Sequence, residues 1–580
     1  VDGNSLLQVR RDAEDFADPP QASSSSGPSH PTHPRAVQVV IRTLAGEAAL
    51  GPKCYPAATP VHKLRTALAS SGVLKYHRPF VLLNGQNEVA MQDVLADLTK
   101  ERDEPDRTLE LTIVFCQGYR VVAWGSAAGG GNTTQVADQL TGGVTALFHN
   151  EAAFAALKQD GSVVTWGHRH FGGDSRAVAS KLRSGVRTVV SNRDAFAALK
   201  VDGAVVTWGN PECGGNCDAV KDDIASGVVA VHCSYDLAFA ALKTEGRVVT
   251  WGKKSGGGDS SAVAKELRSR VVTVCSTWGA FAALKQGGAV VTWGEPKRGG
   301  DSSLVASQLQ RGVTCVVPNF FGGFAALKED GSIVAWGDAE RGGSTQACAS
   351  QLLGGVVRIV PSASCFAALK SSGAVVTWGS STEGGDSSAV SQHLSSGVVE
   401  VHSTGAAFAA VKQQGSVITW GLPFRGGDSS LAAPQLRSGV KAVYAGVADF
   451  VAVKACGGVV TWPQALKEHE AVRLKCGVVN ITSTSSAFAA LKDNGEVVPF
   501  GNPFGGAAPD AECSAQLQYG VQRVYSNLGA FAALKQAGAV VTWGRRDIGG
   551  DSKEVMHELT DGIVSLASNS HAFAALKEVG

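Results

Sequence analysis

The chain has few methionines, little net charge and no long apolar segment, and each of these features narrows the class of protein. Two methionines against 70 glycines in 580 residues disfavour a helical bundle and favour a β protein with many turns. Basic and acidic residues number 52 and 51, so the formal charge of +1 gives no bulk attraction to nucleic acid or anionic lipid. No apolar run reaches the roughly 18 residues of a membrane-spanning helix. We therefore expect neither a membrane protein nor a bulk nucleic-acid binder.

The twelve cysteines are scattered, and their spacing is not that of a disulfide framework. With no signal peptide at the start, this pattern predicts reduced thiols in the cytoplasm or nucleus. Cys213, Cys217, His232 and Cys233 have ligand types that suit zinc, but they fall on variable loop and strand-end positions. We therefore predict ordinary packing or exposed thiols there, and no metal site. Because the first residue is Val1, we expect a processed protein or a fragment of a longer one.

One 14-residue phrase recurs along most of the chain. Its first copy runs from Phe154-Ala-Ala-Leu-Lys158 through Gly161 to Val163-Val-Thr-Trp166-Gly167. Nine of the ten intervals between successive copies of its phenylalanine are 42 or 43 residues. Self-similarity at this period predicts a stacked array whose units bury their apolar faces against each other. The eleven phenylalanines, all predicted to be core residues, are Phe154, Phe196, Phe239, Phe281, Phe324, Phe366, Phe408, Phe450, Phe488, Phe531 and Phe573.

Each unit predicts three short strands followed by a short helix. The second and third strands form a hairpin, and Phe196 and Leu199 project to opposite faces of a strand that is buried on both. Gly-Gly-Asp-Ser-Ser then precedes a helix such as 304–309, with Asp301 or Ser302 at its start and Gly312 at its end. We interpret the repeated aspartates as helix caps and not as metal ligands. They are Asp174, Asp259, Asp301, Asp386, Asp428 and Asp551.

A lysine stands four residues after every repeated phenylalanine. Two interpretations are open: a basic ladder for an acidic partner, or a solvated strand end whose stem covers apolar surface. The lysines are Lys158, Lys200, Lys243, Lys285, Lys328, Lys370, Lys412, Lys454, Lys492, Lys535 and Lys577.

The repeat resembles the RCC1 family, as Ser438-Gly-Val, Val451-Ala-Val-Lys454 and Thr461-Trp462 illustrate. The resemblance implies a mainly β fold, a β-propeller-type array over residues 119–580 of about eleven ~42-residue units. Eleven units exceed the roughly 4–8 blades of typical propellers, so one ring, two propellers and an open arc all stay open. Val121–Gly125 is a third strand without its hairpin, and 572–577 lacks a following strand. Joined, these two ends would complete an eleventh unit.

The first 116 residues differ in character from the array. Residues 1–36 are rich in Ser, Pro and His, which predicts disorder. Residues 37–116 have a ββαββ order, with strands at 37–42, 80–83 and 108–115 and a helix at 61–68, and they resemble the ubiquitin-like fold. Without a Gly-Gly tail after Phe115, the module is not expected to be conjugated to other proteins. A small capping domain without recognition duties is the alternative.

Nothing in the sequence has the pattern of a catalytic or cofactor site. The Gly-Gly pairs lack the following Gly-Lys-Ser/Thr of phosphate loops, and no catalytic, cofactor-binding or metal-binding residue is predicted. We expect a non-catalytic interaction scaffold that binds a protein partner. Part of a ubiquitin ligase, or an exchange factor for a small GTPase, is the alternative. Specificity is predicted in the loops after Trp-Gly, or in the irregular stretch 461–476, which equally fits decay of one repeat. The loops are His168–Phe171, Lys253–Ser255, Glu295–Arg298 and Arg545–Ile548.

Overall fold

The computed structural model describes residues 36–43, 48–56, 80–84, 87–88, 108–115 and 118–579. Strands dominate all of these segments. Those before residue 116 form one mixed sheet, and those from Tyr119 onward form a series of antiparallel sheets. The protein is therefore mainly β, with repeated three-stranded units, as the period predicts.

The mixed sheet has five strands in the order β2-β1-β5-β3-β4. Its central pair, β1 and β5, is parallel, and its other neighbours are antiparallel. Val39, Ile41 and Leu111 from that central pair are buried. The predicted strands are present, whereas the predicted helix at 61–68 and residues 1–35 lie outside the described residues. The strands are β1 (Ala36–Thr43), β2 (Ala48–Pro56), β3 (Phe80–Asn84), β4 (Asn87–Glu88) and β5 (Thr108–Phe115).

From residue 119 onward the strands group into units 1 to 11, each with a first, second and third strand. The first strands are Val144–His149, Val186–Ser191, Val228–Cys233, Val271–Ser276, Val313–Pro318, Val356–Pro361, Val398–Ser403, Val440–Ala445, Val478–Ser483, Val521–Ser526 and Ile563–Ser568. The second strands are Ala153–Lys158, Ala195–Lys200, Ala238–Lys243, Ala280–Lys285, Gly323–Lys328, Cys365–Lys370, Ala407–Lys412, Phe450–Lys454, Ala487–Lys492, Ala530–Lys535 and Ala572–Glu578. The third strands are Val163–Gly167, Val205–Gly209, Val248–Gly252, Val290–Gly294, Ile333–Gly337, Val375–Gly379, Val417–Gly421, Val459–Trp462, Val497–Gly501, Val540–Gly544 and, for unit 11, Tyr119–Gly125.

The hairpin between the second and third strands has the predicted geometry. In unit 2 its register pairs Phe196 with Trp208, and Gly203 turns the chain at φ +80°. A Cβ at Gly203 would lie 2.6 Å from the backbone nitrogen of Gly227. The turn therefore needs glycine both for its positive φ and for this close approach of the backbone. The repeated glycine is therefore a requirement of the hairpin.

The second strand is buried on both faces, as its sequence predicts. Phe196 packs in one core with Leu157 of unit 1, whereas Leu199 packs in another with Phe239 of unit 3. All eleven repeated phenylalanines are at most 5% exposed. Each stacks on the aromatic residue of a third strand, with ring centroids 5.1–5.4 Å apart. Each core thus belongs to two neighbouring units.

The two ends of the array pair with each other. The third strand of unit 11 is Tyr119–Gly125, which runs antiparallel to Ala572–Glu578 with Trp124 opposite Phe573. Trp124 also stacks on Phe573 at 5.4 Å and donates its indole N–H to the carbonyl of Gly549 at 3.0 Å. The ends therefore complete a unit with the same register as the others.

The connections contain short helices, nearly all of them 3-10. The predicted helix at 304–309 is the 3-10 helix Ser303–Leu309, with Leu309 buried and Val305 partly buried. Gly312 is not its C-cap, which is Gln310; Gly312 instead begins the next unit at φ +74°. Short 3-10 helices are common as connectors between other elements. The 3-10 helices are Ala127–Gly129, Thr134–Gln139, Arg169–Phe171, Arg176–Leu182, Pro211–Cys213, Asp218–Val220, Lys254–Gly256, Ser261–Val263, Glu266–Arg268, Pro296–Arg298, Ser303–Leu309, Ala339–Arg341, Gln346–Leu352, Ser381–Glu383, Ser388–Val390, Pro423–Arg425, Pro503–Gly505, Arg546–Ile548 and Lys553–Glu558. Within residues 118–579, the α-helices are α1 (Glu468–Arg473) and α2 (Ala511–Gln516).

Candidate protein-binding surface

The eleven repeated lysines hold the connections that precede the first strand of each unit. Eight of their acceptor carbonyls belong to short helices, and three, those of Asp223, His393 and Gln435, belong to turns. Lys370 donates its Nζ to the carbonyl of Gln351 at 2.7 Å, and every other repeated lysine donates to a carbonyl 19 or 20 residues earlier. A cation at a helix C-terminus satisfies carbonyls that lack an intrahelical partner. Neither interpretation drawn from the sequence included this contact, through which each repeated lysine helps to hold the fold.

The repeated aspartates begin the same connections. Asp301 accepts the backbone N–H of Ser303 at 2.9 Å, which lowers the pKa of its carboxyl, and the other five make the equivalent contact. Ser302 makes no cap contact; its hydroxyl accepts from Thr292 at 2.9 Å. Each contact spans two residues, and where a helix follows, the aspartate stands one residue before the N-cap, whose own side chain makes no cap hydrogen bond. The aspartates therefore order the start of the connection through a local turn, and the predicted N-cap contact is not the one they make.

A third repeated polar position escaped the sequence analysis. Four or five residues before the phenylalanine, nearly every unit has Asn, Ser or Thr, and eight of these side chains donate to a carbonyl 21 or 22 residues later. In unit 11, Asn569 makes the equivalent contact with the carbonyl of Gly129, after the third strand Tyr119–Gly125. Thr277, for example, donates to the carbonyl of Arg298 at 2.8 Å. This contact ties the turn between the first and second strands to the loop after the third. The repeated Asn, Ser or Thr in the aligned units could have revealed it.

The four loops predicted to give specificity share one face with those turns. The carbonyls of Phe171, Arg298 and Ile548 accept from the turn residues of their own units. In the fourth loop, Lys253 forms an ion pair of 2.8 Å with Asp236 of the adjoining turn. One face of the array therefore combines, in every such unit, a variable loop with a variable turn.

Aromatic residues occupy these turns in units 3, 4 and 5. Tyr235 and Trp278 have ring centroids 4.5 Å apart, Trp278 and Phe320 are at 4.9 Å, and Phe320 and Phe321 at 5.1 Å. All four side chains are partly exposed. The other units have non-aromatic residues at the same position: Glu151, Arg193, Ala363, Gly405, Val447, Ser485, Leu528 and Ser570.

Two arginines from the neighbouring loops lie over these rings. Arg298 lies 5.5 Å from the ring of Trp278 and donates to the carbonyl of Phe321 at 3.2 Å. Arg341 lies 4.7 Å from the ring of Phe321. Cation–π contacts of this kind contribute about 0.5–1 kcal/mol at exposed sites. We call these six residues, Tyr235, Trp278, Arg298, Phe320, Phe321 and Arg341, the aromatic turn cluster.

The backbone fixes the cluster across three units. The N–H of Asp236 donates to the carbonyl of Trp278, and the N–H of Trp278 donates to that of Phe320 at 3.0 Å. Gly322, at φ +125°, brings its loop so near that a Cβ there would lie 2.7 Å from the Cα of Arg298. The cluster is therefore a pre-ordered platform.

The cysteines whose residue type suits zinc make contacts within the fold. Cys213 lies against Asp194 at 3.6 Å, and burial, with that carboxylate, raises the pKa of its thiol to about 12. Burial raises the pKa of Cys233 to about 11, and its thiol donates to the carbonyl of Ser191. Within residues 118–579 and the described strands before them, no three His, Cys, Asp or Glu side chains group as metal ligands would. Nor does any helix there have the length and apolar character to cross a membrane.

Comparison with known proteins gives distant structural similarities. Prp20p of Saccharomyces cerevisiae is 12% identical with a TM-score of 0.28, covering 80% of this chain and 92% of that one. A chain of the complex in which Kap60 is bound to yeast RCC1 (Prp20) is 12% identical with a TM-score of 0.29, covering 80% of this chain and 89% of that one. Human WBSCR16 is 17% identical with a TM-score of 0.23, covering 44% of this chain and 85% of that one. No protein-family model and no curated protein sequence matches the chain. Function therefore has to be inferred from the chain's own residues.

Proposed function

We propose that the chain is a non-catalytic protein-interaction scaffold and that the aromatic turn cluster is its main binding surface. The observation that carries this proposal is the cluster itself, four partly exposed aromatic rings and two arginines in adjoining units. Trp, Tyr and Arg are the residues that dominate binding energy at protein interfaces. Rigid turns on a repeated frame also avoid much of the entropic cost of ordering a loop on binding.

The repeated polar residues support a scaffold over an enzyme. Lysines hold the ends of the connections, aspartates hold their beginnings, and the Asn, Ser or Thr side chains fix the turns. These side chains are engaged in the fold at each unit and are spread evenly along it. Catalysis instead needs titratable groups gathered in one place.

We further propose that residues 119–580 form an RCC1-like, β-propeller-type array closed through unit 11. The repeat signature and the antiparallel pairing of Tyr119–Gly125 with Ala572–Glu578 support this.

The parallel pairing of β1 with β5, flanked by antiparallel neighbours, supports a ubiquitin-like module at residues 37–116. The ten free cysteines of the described residues support a reducing location, in the cytoplasm or nucleus.

The test compares two truncations at the same turn position. Trp278→Ala removes the centre of the cluster, and Leu528→Ala, in unit 10, is the matched control. Proteins captured by the immobilised full chain are quantified by mass spectrometry. Loss of a specific set with Trp278→Ala, and its retention with Leu528→Ala, is the expected result. Equal capture by both variants would remove the cluster from the proposal.

Catalytic exchange is tested separately. The full chain is added to a panel of nucleotide-loaded small GTPases, and nucleotide release is followed by fluorescence. A scaffold leaves the release rate at its intrinsic value. Acceleration that grows with the concentration of the chain would replace the scaffold with an exchange factor.

A further inference from the structure

Unit 8 departs from the others at the end of its third strand. Elsewhere a glycine follows the aromatic residue and a 3-10 turn comes next, whereas here Pro463 follows Trp462 and the 3-10 turn is missing. A pocket of about 210 Å³ lies beside this departure. Its lining includes Pro423, Phe424, Asp428, Leu431, Trp462 and Pro463.

The pocket joins exposed apolar side chains that the rest of the fold leaves uncovered. Phe424 is 67% exposed and Leu431 is 77% exposed, and two prolines flank them. The pocket is smaller than the roughly 300–1,000 Å³ of small-molecule sites. It has the size and lining to take one or two apolar side chains from an extended segment.

Such a segment occurs in this chain. Pro28, Pro31 and Pro34 are spaced three residues apart, as Pro-Ser-His-Pro-Thr-His-Pro. Polyproline II has three residues per turn, so these prolines would share one edge of that helix. Aromatic-lined grooves bind prolines presented in this way. We infer that residues 28–34 of this chain dock in the unit 8 pocket.

Charge and tethering favour this occupant. Residues 19–35 contain Arg35 and two histidines and no acidic residue. Asp428 stands at the pocket, and the N–H of Ser430 lowers the pKa of its carboxyl, so it is ionised at neutral pH. Residues 1–35 directly precede β1, so the segment is covalently attached to the molecule that holds the pocket. Attachment raises its effective concentration, which lets a small pocket be occupied.

The experiment uses the full chain with a photoreactive residue in the pocket. Phe424→p-benzoylphenylalanine is irradiated, and cross-linked peptides are mapped by mass spectrometry. Phe504→p-benzoylphenylalanine is the matched control, because Phe504 follows Pro503 at the equivalent place in unit 9 and is 87% exposed. We expect the first variant to give an adduct with residues 27–35 within one chain, and the control to give none.

A second variant keeps the test independent of folding defects in the array. Pro28→Ala, Pro31→Ala and Pro34→Ala together should abolish the adduct while hydrogen exchange of the array stays unchanged. The inference is overturned if the adduct survives this triple substitution, if it joins two chains, if it maps elsewhere, or if none forms. Since this pocket and the aromatic turn cluster lie in different units, neither result decides the other.

Discussion

Two tryptophans of the array differ in one hydrogen bond, and this allows a matched prediction. Trp378 and Trp543 are each 3% exposed and stack on their phenylalanines at 5.2 and 5.1 Å. Trp378 donates its indole N–H to the carbonyl of Gly342 at 3.0 Å. The indole N–H of Trp543 is buried and has no partner among the described residues.

Replacing each tryptophan by phenylalanine removes the same atoms, so the losses from apolar burial and cavity formation nearly cancel between the two variants. Trp378→Phe also leaves the carbonyl of Gly342 without its donor, which costs about 1–3 kcal/mol. In the native protein the buried indole N–H of Trp543 has lost its hydrogen bonds to water without gaining another acceptor in the described part of the chain. Trp543→Phe removes this N–H, so it relieves a desolvation penalty of similar size. We therefore expect Trp378→Phe to destabilise its unit by at least about 1–3 kcal/mol more than Trp543→Phe.

Native-state hydrogen exchange is the suitable measurement, because repeat arrays need not unfold in one step. Opening free energies are compared for the amides of Val375–Gly379 and Val540–Gly544 in each variant. If Trp543→Phe is as destabilising as Trp378→Phe, the indole hydrogen bond contributes nothing, and this reasoning is wrong.

Four further predictions concern the repeated positions. Phe324→Ala should cost about 3–5 kcal/mol; hydrogen exchange should show the loss first in units 4 and 5, and uniform protection would contradict it. Asp301→Ala should cost about 0.5–2 kcal/mol and Asp301→Asn almost nothing; a melting temperature raised by calcium and lost in Asp301→Asn would identify a ligand instead. Lys370→Met should cost about 0.5–1.5 kcal/mol and speed amide exchange in Gln346–Leu352; unchanged exchange would argue against the contact with Gln351. The Arg176 side chain lowers the pKa of the Asp174 carboxyl to about 2. The stabilisation from this ion pair should therefore be complete above about pH 4 and disappear as the pH falls through the lowered pKa. Asp174→Asn should lose this pH dependence in acid titrations of the free energy of unfolding.

Much of a unit follows from its own sequence. The alternation in Ala195-Phe-Ala-Ala-Leu-Lys200 predicts a strand buried on both faces, and Asp202-Gly203 predicts the turn after it. Both are local patterns, and the structure confirms them. The 3-10 form of the short helices was not predictable from an apolar pair four residues apart, which fits either helix type.

Contacts between distant positions were beyond the sequence analysis. Lys370 meets a carbonyl 19 residues earlier, so no local pattern relates the two. The aromatic turn cluster is more widely dispersed, because Tyr235, Trp278 and Phe320 lie 42 or 43 residues apart. Aligning the units by their phenylalanine places Tyr235 and Phe320 four residues before it and Trp278 three residues before it, so the three aromatics fall in two adjacent columns. It would not have shown that the rings touch.

The irregular units show that exceptions in the repeat are coupled. In units 1 to 8 the indole donates to a glycine carbonyl 36 or 37 residues earlier, as Trp462 does to Gly426. In unit 9 that place is Gln464, because unit 8 lacks its Gly-Gly loop, and Phe500 has no N–H to satisfy. Phe500 therefore leaves no indole N–H without an acceptor in the unit that follows the missing loop. The side chains that repeat in every unit hold the units together. We therefore expect binding specificity at positions that break the repeat, namely the aromatic turns of units 3 to 5 and the unit 8 pocket.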